Sequence, residues 1–390
     1  MNVVILSNSY GEDRSGALIA KELRKLDSKI RIRAFPLISL GEEYEKRSIK
    51  VIGGHPPPPS GGFLLKSARK FLADIAKVLF LPFSYMDRLR VFKYKTDIII
   101  VVGDFSLLFM GYLSLREKAY FLEQCKSNYI HSHLPLERFF MREIAEKVFT
   151  HDKITADDLK VKGIDAEFAG NPMMDGLTEE RKYSPPKDKI LIGLLPGSRK
   201  TAYNNMKRIA EIIKELTRKS ENIHFAVALS GTVDKEKIVK INSDLKNNID
   251  VCYGSFVDIV KKSKLVISLG GTASEQSLYL GTPVVSFPGS GAQNSRRRLN
   301  GQKKLLGEPF ILLDYQPKKI AEKILTLISN QKQLKNLGER GKKRAGNSGG
   351  AKRIAQYIYY KEAKTQKTSI EFSSRNTEFR NPSHPKNLKY

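Results

Sequence analysis

At 390 residues, 41% hydrophobic and 28% charged, the chain has the length and balance of a folded, two-domain globular protein, which excludes a fibrous or intrinsically disordered class. Lys and Arg outnumber Asp and Glu by 68 to 41, and the resulting net charge of +27 points to an anionic partner: nucleic acid, an acidic membrane surface or a phosphorylated small molecule. The two cysteines, Cys125 and Cys252, are far apart in sequence, so they suggest neither a disulfide framework nor a zinc motif.

The chain enters a buried strand at once with Val3-Val4-Ile5-Leu6 and shows no basic-then-apolar leader. Ser7 to Asp13 then form the loop at that strand's carboxyl end, and Ala17, Leu18, Ala20 and Leu23 mark a following helix. A second strand is expected over 30–35 and a third at Val51-Ile52, before a proline- and glycine-rich loop over 55–62. From 63 to 83, Leu64, Ala68, Phe71, Leu72, Ile75 and Leu79 fall on one helical stripe, with Lys66, Lys70 and Lys77 opposite and Phe80 widening the apolar side. Such a helix either covers the sheet or lies in a membrane interface with its lysines at anionic headgroups.

The longest apolar region, 98–113, is broken by Gly103, Asp104 and Ser106 and is too short for a membrane span; it reads as a central strand followed by a helix. Asp104, at the strand's carboxyl end, has two readings: a general base facing a cleft, or the N-cap of a helix starting at Phe105. His131 and His133 have no further ligand at metal spacing, and either a loop near a ligand or a plain polar turn describes them better. A strand at 148–150, a helix from Thr155 and a strand at 166–169 lead to Gly170-Asn171-Pro172-Met173-Met174-Asp175.

Residues 176–189, polar with Pro185-Pro186, read as an interdomain linker. The strand over 190–195 then ends in Pro196-Gly197-Ser198-Arg199-Lys200, where backbone N–H groups, a hydroxyl and a guanidinium can cradle an anion. Strand–helix alternation continues through helices at 210–217 and 257–262 and strands at 225–229 and 251–253. It leads to the strand 265–268 and to Gly270-Gly271-Thr272, a glycine turn opening a helix whose free N–H groups suit phosphate. After the strand at 284–287, Gln293 and Asn294 lie in a loop able to meet sugar hydroxyls. A short strand at 311–313 and helices at 318–327 and 351–360 follow, and the polar tail is expected to be disordered.

Four segments together resemble the GT-B glycosyltransferases, and in particular the divergent branch of the lipid-A-disaccharide synthase family. Ser7, Asp13, Gly16 and Ala17 match its first loop and helix, and 170–175 its Gly-His-Pro/Thr-x-x-Asp interdomain motif, with Asn171 and Asp175 at the junction. Leu194-Leu195-Pro196-Gly197-Ser198-Arg199 is similar to its Leu-Leu-Pro-Gly-Ser-Arg, and Gly271-Thr272-Ala273 to its Gly-Thr-Ala. The resemblance implies an α/β GT-B fold with two facing Rossmann-like domains and a cleft between them. Its expected parts are an acceptor domain at 1–175, the linker, a nucleotide-sugar domain at 190–346, a helix over 347–362 crossing back, and a disordered tail at 363–390.

The implied reaction is an inverting, metal-independent transfer of an N-acetylglucosamine-type sugar from a UDP-sugar to a lipid-linked or glycolipid acceptor, without a cofactor. It would take place at the inner face of an anionic membrane, with the protein cytoplasmic and peripheral. Gly197, Ser198, Arg199, Gly270, Gly271 and Thr272 would hold the diphosphate, and Asp13 or Asp104 would act as base. The family's ribose-binding Glu falls on Gln276, with Glu275 one position earlier, so either could meet the ribose. The family's Trp-bearing Ser-Pro-Ser segment is replaced by Tyr129-Ile130-His131-Ser132-His133, which bears on the acceptor's identity. Two alternatives remain at this level. One is a UDP-N-acetylglucosamine 2-epimerase-like enzyme; the other is a basic nucleic-acid-binding protein, which rests on charge alone and lacks a recognised module.

Overall fold

A computed structural model describes residues 1–8, 10–53, 85–198, 200–291 and 294–378. They form two wholly parallel sheets, ordered β3-β2-β1-β4-β5-β6-β7 and β10-β9-β8-β11-β12-β13. In the first sheet β1 is Asn2–Ser7, β2 Arg31–Pro36, β3 Lys50–Val51, β4 Ile98–Gly103, β5 Ala119–Glu123, β6 Ala145–Thr150 and β7 Ala166–Glu167. In the second β8 is Ile190–Leu195, β9 Ile223–Leu229, β10 Ile249–Tyr253, β11 Leu265–Ser268, β12 Val284–Ser286 and β13 Phe310–Leu312. This is the GT-B arrangement expected from the sequence.

The apolar runs form parallel strands because both faces of each sheet are covered. Along β1 and β4 successive residues alternate between two cores. Val3, Ile5, Ile98 and Ile100 pack with Ala17 and Leu23 of the Tyr10–Leu26 helix, while Val4, Leu6, Ile99 and Val101 pack with Leu107, Leu108 and Met141 on the other face. In each sheet the strand order reverses once near the middle, between β1 and β4 and between β8 and β11. Such switch points open a crevice at the carboxyl ends of the strands. The two crevices carry the Ser7 and Asp104 ends on one side and the Pro196 and Gly270 ends on the other.

The segment 170–175 joins the two bodies. Met173 and Met174 pack with Leu195, Val266 and Leu278 of the second domain. The linker beyond is tied down by Asp258, whose carboxylate accepts the N–H groups of Glu180, Arg181, Lys182 and Tyr183 at 2.7–3.3 Å. The last helix, Gly350–Glu378, returns to the first domain, where Ile354, Ala355 and Ile358 enter its core.

The helix continues to Glu378, past residue 363 where the sequence suggests a disordered tail. The sequence beyond 362 lacks an apolar stripe. A helix already nucleated by a packed turn nevertheless gains a backbone hydrogen bond with each residue added, and Lys, Glu and Gln are good helix formers. Residues 379–390 lie outside the described residues, as does 63–83 with Leu64, Lys66, Lys70, Phe71, Ile75, Lys77, Leu79 and Phe80. Among the described residues no helix is long and apolar enough to cross a membrane.

Candidate active site

On the first-domain side, the helix Tyr10–Leu26 follows directly on the loop after β1. Gly16 lets Tyr44 approach this helix; a Cβ there would overlap the Tyr44 hydroxyl and touch Ile5. The Tyr44 hydroxyl donates to Ser7 Oγ at 2.9 Å, and Ser7 Oγ donates to Asp13 Oδ1 at 2.6 Å. Ser39 Oγ donates to Asp13 Oδ2. Asp13 is therefore 1% exposed, with both oxygens engaged. Burial pushes its pKa up to about 6; the hydroxyls of Ser39 and Ser7 pull the other way, and the carboxylates of Glu12 and Glu43 add to the rise.

Asp104 has the geometry of the N-cap reading. Its Oδ1 accepts from Leu107 N at 3.0 Å and opens the helix Phe105–Leu115, while the residue stays half-exposed at the crevice. Beside it, Cys125 donates its thiol to Glu12 Oε1 at 3.7 Å, and Asn8 Nδ2 donates to Cys125 Sγ at 4.0 Å. His133 is buried against Glu123, with Nε2 3.3 Å from Oε2, whereas His131 is exposed.

On the second-domain side, the loops after β8 and β11 meet. Gly197 has φ +106, a conformation that favours glycine, and a Cβ on Gly270 would lie 3.9 Å from Gly197 Cα, so the two turns lie against one another. Ser274 Oγ fastens the second turn by donating to Gly270 O at 2.6 Å and lies 2.8 Å from Ser268 Oγ. Thr232 Oγ1 donates to Ser198 O at 2.6 Å and holds the first. Among the described residues no side chain caps the helix Gly271–Tyr279 at Gly270, so its first N–H groups suit a ligand. Across the cleft stands the start of the Tyr10–Leu26 helix: a Cβ on Gly11 would sit 3.2 Å from Met173 Cε and 3.8 Å from Thr272 Oγ1. The positive ends of two helices thus lie close together here.

The pair Glu275 and Gln276 divides. Gln276 is buried and its Nε2 donates to Met173 O at 2.9 Å, a contact that holds the interdomain segment. Glu275 faces the first domain, where its Oε2 lies 3.2 Å from His151 Nε2. His151, at the end of β6, is in an acid-rich setting. Burial pulls its pKa down, but the hydrogen bond to Glu275 and the charges of Glu275, Asp152 and Glu123 more than offset this and hold it above the ordinary value.

Asn171 and Asp175 serve the junction. Asn171 N donates to Asn347 O at 2.9 Å, and the Asp175 carboxylate accepts from Gly349 N and from Ala351 N, the latter at 2.8 Å, capping the returning helix. Arg14 of the first domain donates to Asp175 O at 2.9 Å. Arg199 and Gln293 lie outside the described residues.

Two groups escaped sequence reading. One is His151, whose partner is 124 residues away. The other is Asn205, fully buried, which donates from Nδ2 to Pro196 O at 2.9 Å and accepts from Ser290 N at 2.7 Å, so it fixes two cleft loops at once. An apolar surface also stands out in the first domain: Leu134, Leu136 and Phe139 are 61%, 65% and 53% exposed, and Phe139 packs on the half-buried ring of Phe140, itself against Phe105.

Comparison with known proteins identifies the relation. Residues 159–287 match the family described as Lipid-A-disaccharide synthetase, a stretch holding both the Pro196-Gly197-Ser198 and the Gly270-Gly271-Thr272 turns. The lipid-A-disaccharide synthase of Syntrophotalea carbinolica is 29% identical over 132 residues, covering 31% of this chain and 33% of that protein. The UDP-N-acetylglucosamine--N-acetylmuramyl-(pentapeptide) pyrophosphoryl-undecaprenol N-acetylglucosamine transferase of Rickettsia bellii is 30% identical over 170 residues, covering 41% of this chain and 47% of that protein. The chain thus spans less than half the length of either curated relative. In fold, it is similar to the UDP-GlcNAc 2-epimerase of Neisseria meningitidis bound to UDP-GlcNAc, with a TM-score of 0.59, 17% identity and coverage of 93% of this chain and 100% of that one. The chain is related to the lipid-A-disaccharide synthases and shares the GT-B fold.

Proposed function

We propose that the protein is an inverting, metal-independent glycosyltransferase that moves an N-acetylglucosamine-type sugar from a UDP-sugar to a lipid-linked or glycolipid acceptor at a membrane surface. The observation that carries this reading is the meeting of the Gly197 and Gly270 turns, within the matched stretch, at the switch point of the second sheet. N–H groups there suit the diphosphate of a UDP-sugar, with Ser198 and Thr272 as neighbouring donors and Arg199 next to Ser198 in sequence. Glu275 is the better ribose partner of the two adjacent candidates, because the Gln276 amide is occupied in the hinge.

In the reaction, the acceptor hydroxyl oxygen forms a bond to the anomeric carbon as that carbon's bond to the diphosphate breaks. UDP leaves with the electron pair and the hydroxyl proton passes to a base. Of the two aspartates, Asp104 suits the base: it is half-exposed at the crevice, whereas Asp13 is sequestered and supports the loop. The two helix ends would stabilise the charge that develops on the leaving diphosphate. The exposed Leu134, Leu136 and Phe139 surface, with the amphipathic sequence over 63–83, supports an acceptor presented by a membrane at the inner face, where a cytoplasmic enzyme meets it. The epimerase alternative has fold likeness as its support.

Titration with UDP-N-acetylglucosamine, followed by thermal melting, tests the donor assignment. A rise in melting temperature that Arg199→Ala removes is expected; no rise with any UDP-sugar overturns it.

A further inference from the structure

Two cationic clusters, Arg296-Arg297-Arg298 and Lys342-Lys343-Arg344, have no part in the site described above. The fold sets them at opposite ends of one helix at the domain junction. The first opens the helix Arg296–Leu306. Arg344, at the end of the helix Gln331–Ala345, closes the other end by donating Nε to Leu305 O at 2.6 Å and a second nitrogen to Lys304 O at 2.8 Å. The same guanidinium lies 3.3 Å from the ring centroid of Tyr129 in the first domain. Midway along the first of these helices, Gly301 packs on Ile130; a Cβ there would lie 3.6 Å from Ile130 Cγ2. Between these contacts is a cavity of about 550 Å³ lined by Ile130, Arg296, Arg297, Asn300, Gly301 and Lys304.

The lining holds three cations and no carboxylate. Arg296 is partly neutralised by Asp314 at 3.0 Å, but among the described residues Arg297 and Lys304 have no ion-pair partner. Arg297, Asn300 and Lys304 recur at three and four residues, which puts a guanidinium, an amide and an ammonium on one helical face. Like charges held together in a concave site without counter-charge repel one another, and an anion bridging them removes that cost. A guanidinium fork beside an ammonium matches phosphate oxygens in geometry and charge. The cavity is separate from the diphosphate turns yet joined to them: Gln302, next to Gly301, donates to Gly271 O at 2.9 Å.

We propose that this pocket is a second anion site, which binds the phosphate group of a ligand other than the donor. The phosphate belongs either to a soluble phosphorylated molecule or to a lipid headgroup. Phosphate binding at Arg297, Asn300 and Lys304 stands without the transferase reading; its separation from a donor rests on that reading.

The test is calorimetric titration with pyrophosphate, and flotation with phosphatidylglycerol vesicles against phosphatidylcholine vesicles, each with and without saturating UDP-N-acetylglucosamine. The wild type is expected to bind pyrophosphate or the anionic vesicles with the UDP-sugar present. Arg297→Glu/Lys304→Glu should weaken that binding at least about tenfold and leave the UDP-sugar melting shift in place. Arg298→Glu/Lys343→Glu, an equal change of charge outside the lining, should bind as the wild type does. A response to pyrophosphate alone identifies a soluble source, and a response to vesicles alone a headgroup. The proposal is overturned by no binding of either probe, by complete displacement by the UDP-sugar, or by an equal loss in the two double variants. If the wild type ignores the UDP-sugar, the transferase reading fails, and the titration without it still decides the pocket.

Discussion

His151 of the first domain and Glu275 of the second meet across the cleft, with Nε2 3.2 Å from Oε2. The other ring nitrogen, Nδ1, is 3.9 Å from Asp152 Oδ2 and has no hydrogen bond among the described residues. The carboxylates of Glu275, Asp152 and Glu123 all favour the charged imidazole. The pair therefore ties the two domains together through a contact that depends on the protonation of His151.

His151 has a raised folded pKa, so its contribution to stability is fully present below the unfolded value of about 6.5 and is lost as pH rises through the folded value. Melting temperatures of the wild type and His151→Gln, compared across pH, should differ most near pH 6 and converge in alkali. The gap should correspond to about 1–2 kcal/mol at its largest. A gap that is constant with pH contradicts the ion pair.

Asp13 has the opposite sign to a paired surface carboxylate. Burial raises its pKa to about 6 against the hydrogen bonds from Ser39 and Ser7, so the folded state holds its proton more tightly than the unfolded chain. Stability should fall as pH rises from about 4 to about 6 and then level off. Asp13→Asn should remove roughly 3 kcal/mol of that fall, measured as the difference between the two stability curves. Parallel curves would show that Asp13 titrates normally.

Glu275 and Gln276 should separate function from structure. Measured in alkali, where the pair with His151 no longer contributes, Glu275→Ala should weaken UDP-sugar binding, by about tenfold for a lost charged hydrogen bond, with a small change in melting temperature; near pH 6 it should also lose the stability of that pair. Gln276→Glu would set a carboxylate against Met173 O in a buried hinge and should lower stability by about 1–3 kcal/mol. The reverse pattern would make Gln276 the ribose partner.

Gly16→Ala should be costly for its size. The added methyl meets Tyr44, which is fully buried and cannot swing away, so a loss of about 1–3 kcal/mol is expected. Combining it with Tyr44→Phe should recover part of the loss, since the overlapping hydroxyl is gone. Calorimetry of the single and double variants checks both.

The strands flanking the crevices were legible because each is an apolar run ending in turn residues, and Asp104 announced its cap by preceding an apolar helix. The strand Ala119–Glu123 was not, since five residues without flanking glycine or proline leave little signal. The helix Arg296–Leu306 escaped because cations fill the positions where a stripe would show, although it lines the junction pocket. The division between Glu275 and Gln276 was beyond sequence: neighbours on a helix point about 100° apart, and which of them faces the cleft depends on how the helix packs. His151 and Asn205 act through partners brought near only by the fold, so no local spacing marks them.

The central claim is transfer of a sugar from a UDP-sugar to a membrane-borne acceptor. Purified protein incubated with radiolabelled UDP-N-acetylglucosamine and a lipid extract of the source cells measures it directly. The account predicts label entering the organic phase with release of an equal amount of UDP, and loss of both in Asp104→Asn. Label that stays in water, as unchanged or epimerised UDP-sugar across the tested donors, would contradict it.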